Sequence, residues 1–150
     1  MSYKRDPDCT IFTDALYQPQ NDRGAGAAII FYGSKTVKLK RVFDISDINA
    51  AEARIIYLGL RLAGEKFSPE FMEVKTDSMS VVKSIRDGRD PDVRDDFQTE
   101  LDRICGYYGN QRFALKFQHV KAHRVGGGLE GFWNREADRL AQDAIKYDQR

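Results

Sequence analysis

The order of its apolar runs limits this chain's fold more than any other feature of the sequence. Three strand-like runs come first: CTIFTD at 9–14, GAGAAIIFYG at 24–33 and TVKLKRVF at 36–43. Turn formers separate them, Pro19 to Gly24 and then Gly33-Ser34, so the spacing predicts a three-stranded antiparallel meander. A helix is predicted over 49–63, where Ala51, Ile55, Leu58 and Leu62 recur at helical spacing and Gly64 can cap the end. FMEVKT at 71–76 is a fourth strand, followed by a short helix over 78–86, a break at Asp87 to Pro91 and a second helix over 93–107. FALKFQHV at 113–120 is the last strand. Gly126 to Gly128 then marks a flexible loop before a final helix over 132–146, packed through Trp133, Ala137, Leu140 and Ala144. That order implies an α/β fold: a mixed sheet with its first strand central and helices on its faces.

At 150 residues this is expected to be one domain, residues 1–150, able to bury about 68–70% of the surface its unfolded chain exposes. Cys9 and Cys105 lie too far apart in sequence to signal a disulfide framework or a CxxC knuckle. Both read as buried thiols in a reducing compartment. The opening MSYKRDPD lacks the apolar core of a signal peptide, and no apolar run reaches the roughly 18–20 residues of a spanning helix. The expectation is therefore a soluble, cytoplasmic protein with no membrane partner, favoured as a monomer. A formal net charge of +1 does not announce a nucleic-acid binder, so such a partner must be held by local basic patches or by metals.

Four carboxylates occupy places where burial would be costly. Asp14 ends the first strand and Asp77 the fourth, while Glu52 and Asp138 share helix faces with apolar residues, Ile56, Gly59 and Ala63 for the first and Ala141 and Ile145 for the second. Burying unpaired carboxylates costs several kcal/mol, and a cation normally neutralises such a group. Hard oxygen donors with no nearby cysteine favour magnesium or manganese. Each residue alone has a plain alternative: Asp77-Ser78 can cap the following helix, Asp14 can simply end its strand, and Glu52 and Asp138 can reach out to water. Only their joint placement points to one site.

Five motifs occur in order: IFTD at 11–14, Asn49-x-x-Glu52, KTDS at 75–78, VKAH at 120–123 and NREADRLA at 134–141. Together they resemble the type 1 ribonuclease H family over about residues 9–146. The resemblance implies a ribonuclease H-like fold, a five-stranded sheet of three antiparallel strands and then two parallel ones. It also implies two Mg2+ ions, with Mn2+ an alternative, held by Asp14, Glu52, Asp77 and Asp138. The activity it implies is internal hydrolysis of the RNA strand of an RNA–DNA hybrid, leaving 5′-phosphate and 3′-hydroxyl ends. In that family pattern Asp14 bridges both ions, Asp138 joins it on the nucleophile side, and Glu52 and Asp77 serve the leaving-group side. His123 matches a loop histidine that assists turnover. Asn49 is placed to hydrogen-bond a groove edge, and Asn134, one helical turn before Asp138, to orient ligands or water.

Several positions depart from the pattern. Ala15-Leu16 stand where Gly-Ser usually follows the first aspartate, Asp47-Ile48 replace a Thr-Asn pair, and GGGLEGFW at 126–133 reads as an insertion. Phe132 and Trp133 within it can stack on a nucleotide, although Trp133 fits the helix's packing stripe. No lysine- and tryptophan-rich handle helix is evident. Candidate phosphate contacts are Lys83, Arg86, Arg89, Arg94, Lys121 and Arg124. Lys35, Lys38, Lys40 and Arg41 read as guards of an edge strand. His119 invites a zinc reading, but the sequence offers no third ligand of the expected kind. The competing functions are a nuclease of the same fold acting on double-stranded RNA or DNA, and a non-catalytic nucleic-acid-binding domain.

Overall fold

A computed structural model describes residues 6–87, 95–109, 111, 113–120 and 128–148. The meander forms as its turn residues dictate: β1 (Cys9–Gln18), β2 (Arg23–Tyr32) and β3 (Lys35–Asp44), joined in antiparallel register. Then follow α1 (Ile48–Phe67), β4 (Phe71–Thr76), α2 (Met79–Asp87), α3 (Asp95–Gly109), β5 (Ala114–His119) and α4 (Gly128–Lys146). The sheet order is β3-β2-β1-β4-β5, with β1 central and both β4 and β5 added in parallel. The lysine-rich β3 is an edge strand, as its charge pattern predicts.

Alternation along β1 divides the interior between two faces. Ile11 and Ala15 join the larger core, built with Ile55, Ile56 and Leu60 of α1 and with Leu101 and Ile104 of α3. Phe12 belongs to a smaller core on the opposite face, where Ala137 and Ala141 of α4 pack on Ala27 and Ile29. Each fully buried isoleucine or leucine contributes about 1.5–3 kcal/mol. Trp133 is half-buried at the edge of this second core, its ring 4.8 Å from that of Phe31.

The close seating of α1 depends on small residues in β2. A Cβ on Gly26 would lie 2.5 Å from Cβ of Ile55, and one on Gly24 2.7 Å from Cγ2 of Ile45. Nothing in strand periodicity signals this requirement, because the run GAGAA looks only like a weak strand.

Three expectations need correction. Gly64 does not end α1: the helix runs on to Phe67 and stops at Ser68, whose backbone is left-handed and whose N–H bonds to the Gly64 carbonyl. A glycine suits position 64 because a Cβ there would meet the Tyr107 hydroxyl at 2.2 Å. The final helix starts at Gly128 rather than at 132, so Gly128, read as loop, opens α4 with a φ of 66° that favours glycine. Cys9 is buried, and burial pushes its thiol up to about 12, but Cys105 is exposed. It lies on the outer side of α3, next to the buried Ile104. No described helix is long and apolar enough to cross a membrane.

Candidate metal centre

Where β4 stops, two aspartates come level. The last pair between the parallel strands β1 and β4 is Thr13 with Thr76, so Asp14 and Asp77 are the next residues on neighbouring strands. Alternation sends them to one face, the face on which Lys75 lies over the Phe12 ring and α4 packs. β1 continues past this point paired with β2, Asp14 lying opposite Ala27, whereas β4 ends and gives way to α2. Glu52 arrives from α1 on the other side of the sheet, within the helix's buried face. Ligand oxygens of Asp14, Glu52 and Asp77 all lie within 4.8 Å of one another.

The helix that follows Asp77 is capped by the next residue. The cap of α2 is Ser78, whose Oγ accepts from the Val81 N–H at 3.3 Å, and the Ser78 N–H donates in turn to Thr76 Oγ1 at 3.1 Å. The capping role open to Asp77 in the sequence thus falls to its neighbour.

The electrostatics match a site built for cations. Burial pushes the Asp14 carboxyl up to about 9, reinforced by the charges of Asp77 and Asp138, with the Ala15 backbone opposing. Glu52 is raised well above the usual carboxylate range, again first by burial and then by Asp14 and Asp77. Asp138 approaches from α4, sharing a hydrogen bond with Asp14 and accepting another from Gln142 at 2.9 Å. Asp138 is therefore a neighbour of the cluster rather than one of its three mutually close members. Glu52 Oε2 is buried without a hydrogen-bond partner among the described residues. Hard oxygen donors, mutual repulsion and an orphaned buried carboxylate oxygen all fit divalent metal.

The remaining candidates are scattered. Asn134 is 1% exposed on the inward face of α4, with neither amide atom partnered among the described residues. Asn49 is half-buried in the first turn of α1. Lys83 and Arg86 lie exposed on α2, and Arg86 pairs with Asp87 at 3.0 Å. His123, Lys121, Arg124, Arg89 and Arg94 lie outside the described residues. Asp47 stands at the N-cap of α1, buried, and Ile48 beside it is exposed. His119 does not point to zinc: its Nε2 lies 3.2 Å from the Asp77 carbonyl oxygen. That bond joins two strand ends distant in sequence, so no local motif signals it.

The fold and this cluster place the chain among the ribonuclease H-like proteins. RNase H1 from the halophilic archaeon Halobacterium salinarum superposes with a TM-score of 0.75 at 20% identity, covering 93% of this chain and 98% of its own. The N-terminal RNase H domain of a Mycobacterium tuberculosis protein, solved as a fusion with maltose-binding protein, gives 0.75 at 22% identity, covering 94% and 95%. LC11-RNase H1, solved in complex with RNA/DNA hybrid, gives 0.73 at 17% identity, covering 92% and 96%. No curated protein sequence matches the chain. The RNase H family model matches residues 6–146, so the chain belongs to the RNase H family and is a ribonuclease H hydrolase.

Proposed function

We propose that this protein cuts the RNA strand of RNA–DNA hybrids internally, with two divalent ions, leaving 5′-phosphate and 3′-hydroxyl ends. The observation that carries the proposal is the trio of Asp14, Glu52 and Asp77, with ligand oxygens within 4.8 Å of one another and burial that disfavours the bare charge of Asp14 and Glu52. Bound there, divalent metal supplies an activated water and stabilises the leaving oxygen of the phosphodiester. The chain's own part is to hold that charge. Asp14 and Glu52 are the buried pair at the centre of the site, each raised by burial and by the charges of Asp77 and Asp138. Asn134, buried one turn before Asp138 with both amide atoms unpartnered among the described residues, orients the Asp138 side of the site. His123 assists product or metal release. Lys83, Arg86, Lys121 and Arg124 contact phosphates, and Asn49 meets the groove edge. The RNA/DNA hybrid in the LC11-RNase H1 complex supports the choice of substrate.

A second reading, a nuclease for double-stranded RNA or DNA, draws on the buried Asp47 and exposed Ile48 where neutral hydrogen-bonding residues usually stand. Matched hybrid, double-stranded RNA, double-stranded DNA and single strands, each incubated with Mg2+ or Mn2+, separate the two. Cleavage confined to the RNA strand of the hybrid is expected. Cleavage of DNA without cleavage of hybrid overturns the first reading.

A further inference from the structure

His119 is on the edge strand β5, in register with Thr76, and half-buried. Its ring reaches past that partner to the Asp77 carbonyl, 3.2 Å from Nε2. A carbonyl oxygen can only accept, so Nε2 carries the proton in this contact. The residues on either side of Asp77 are also fastened. Val120 N–H donates to the Thr76 carbonyl at 2.8 Å, Ser78 N–H to Thr76 Oγ1 at 3.1 Å, and Val82 N–H to the Ser78 carbonyl at 3.2 Å. The junction between β4 and α2 is thereby held at each of three successive residues, and at Asp77 one of the holds is a side chain from a different strand.

This matters because Asp77 stands where regular structure has run out. Its own strand has ended at Thr76, its helix has not begun, and its side chain faces the buried carboxyl groups of Asp14 and Glu52. A shift of this junction, the Asp77–Ser78 peptide included, would carry the Asp77 carboxylate away from Asp14 and Glu52. We propose that His119 is a positioning residue for the metal centre: by donating to the Asp77 carbonyl it locks that peptide, keeping the Asp77 carboxylate aimed at the cluster. The inference rests on the metal reading of the cluster, and it assigns to this histidine a role in neither coordination nor proton transfer.

The test compares H119Q, whose amide nitrogen can occupy the place of Nε2, with H119F and H119L, which fill space without donating. Mn2+ uptake is measured by calorimetry on the metal-free protein without nucleic acid, with thermal unfolding in EDTA as the folding control. H119F and H119L should bind Mn2+ about tenfold or more weakly, while H119Q stays within about threefold of the wild type. On hybrid, the metal concentration for half-maximal rate should rise in the same order, with kcat at saturating metal changing less. Equal Mn2+ affinity in all four proteins overturns the proposal. So does an H119Q as weak as H119F, which would assign the effect to ring packing. Should one donor-free variant fail to fold, the other still sets the comparison with H119Q. Wild-type protein that takes up no Mn2+ overturns the metal reading itself and this inference with it, a result distinct from equal binding by all four.

Discussion

Glu52 and Glu100 are both helical glutamates buried almost completely, 6% and 2% exposed, and their surroundings are opposite. Glu100 on α3 receives Nε and Nη2 of Arg54 at 3.0 and 2.7 Å, with Arg103 at 3.7 Å from the same oxygen. Glu52 on α1 faces Asp14, Asp77 and Asp138. In each residue Oε2 lacks a hydrogen-bond donor among the described residues, so the contrast lies in charge rather than in hydrogen bonding. Glu73, also buried, follows the Glu100 pattern, with Lys116 at 3.5 Å and Lys75 at 3.8 Å. Among the described residues, Glu73 and Glu100 have cations beside them, whereas the groups that shift Asp14 and Glu52 are other carboxylates. A group that opposes folding in this way is retained for something other than stability.

Removing a member of the uncompensated group should have the largest effect. Asp14→Asn and Glu52→Gln are each expected to lower hybrid cleavage by about a thousandfold, the equivalent of several kcal/mol of metal-assisted stabilisation. Metal-free stability, by contrast, should hold or rise. Cleavage assays beside denaturation in EDTA check both halves, and a variant that is active, or that is destabilised in EDTA, breaks the contrast. Glu100→Gln should behave in the opposite way. It leaves Arg54 without its partner, and because that guanidinium is 24% exposed the loss is about 2 kcal/mol rather than the full cost of a deeply buried pair. Activity per folded molecule should stay unchanged.

Acidity probes the same difference without mutation. The folded-state values of Asp14 and Glu52 lie above their unfolded ones, so the folded, metal-free protein keeps protons that the unfolded chain releases. For Asp14 the window opens near 3.8 and closes at about 9. Stability in EDTA should therefore fall as pH rises across that window, by at most about 1.4 kcal/mol per pH unit for each proton held, and level off above it. Mg2+ or Mn2+ competes with those protons, so the rise in Tm on adding metal should be larger at pH 8 than at pH 5. Asp14→Asn should flatten the EDTA profile. A stability that climbs with pH in EDTA would contradict the burial argument. The smallest effect is expected from Lys83→Ala, an exposed residue away from both groups: unchanged stability and a salt dependence of hybrid binding reduced by about one phosphate contact.

Much of the architecture is written locally. FMEVKT becomes a strand over the same residues, and Ile55, Leu58 and Leu62 mark the inward and flanking sides of α1 as their spacing requires. Helix ends were less legible. Gly64 resembles a stop signal, yet the helix runs on to Phe67, and Gly128 to Gly131 look like the end of a loop although they form the first turn of α4. Pattern within a few residues decides type; an end depends on what packs against it. Cys105 illustrates the same limit, since burial of a thiol follows from which side of α3 meets α1.

By itself the sequence determined the order of elements and the central place of the first strand, and it nominated four acidic residues as one candidate site. Tertiary structure alone decided that Asp14, Glu52 and Asp77 meet, that Asp138 stands beside them, and that Ser78 rather than Asp77 caps α2. It also decided that His119 reaches the Asp77 carbonyl and that Gly26 lets α1 come close enough for Glu52 to join. The physical reason is one of range. Periodicity and capping act between residues a few positions apart, whereas convergence depends on strand register and on how closely a helix approaches the sheet, which are set by packing between segments far apart in the chain.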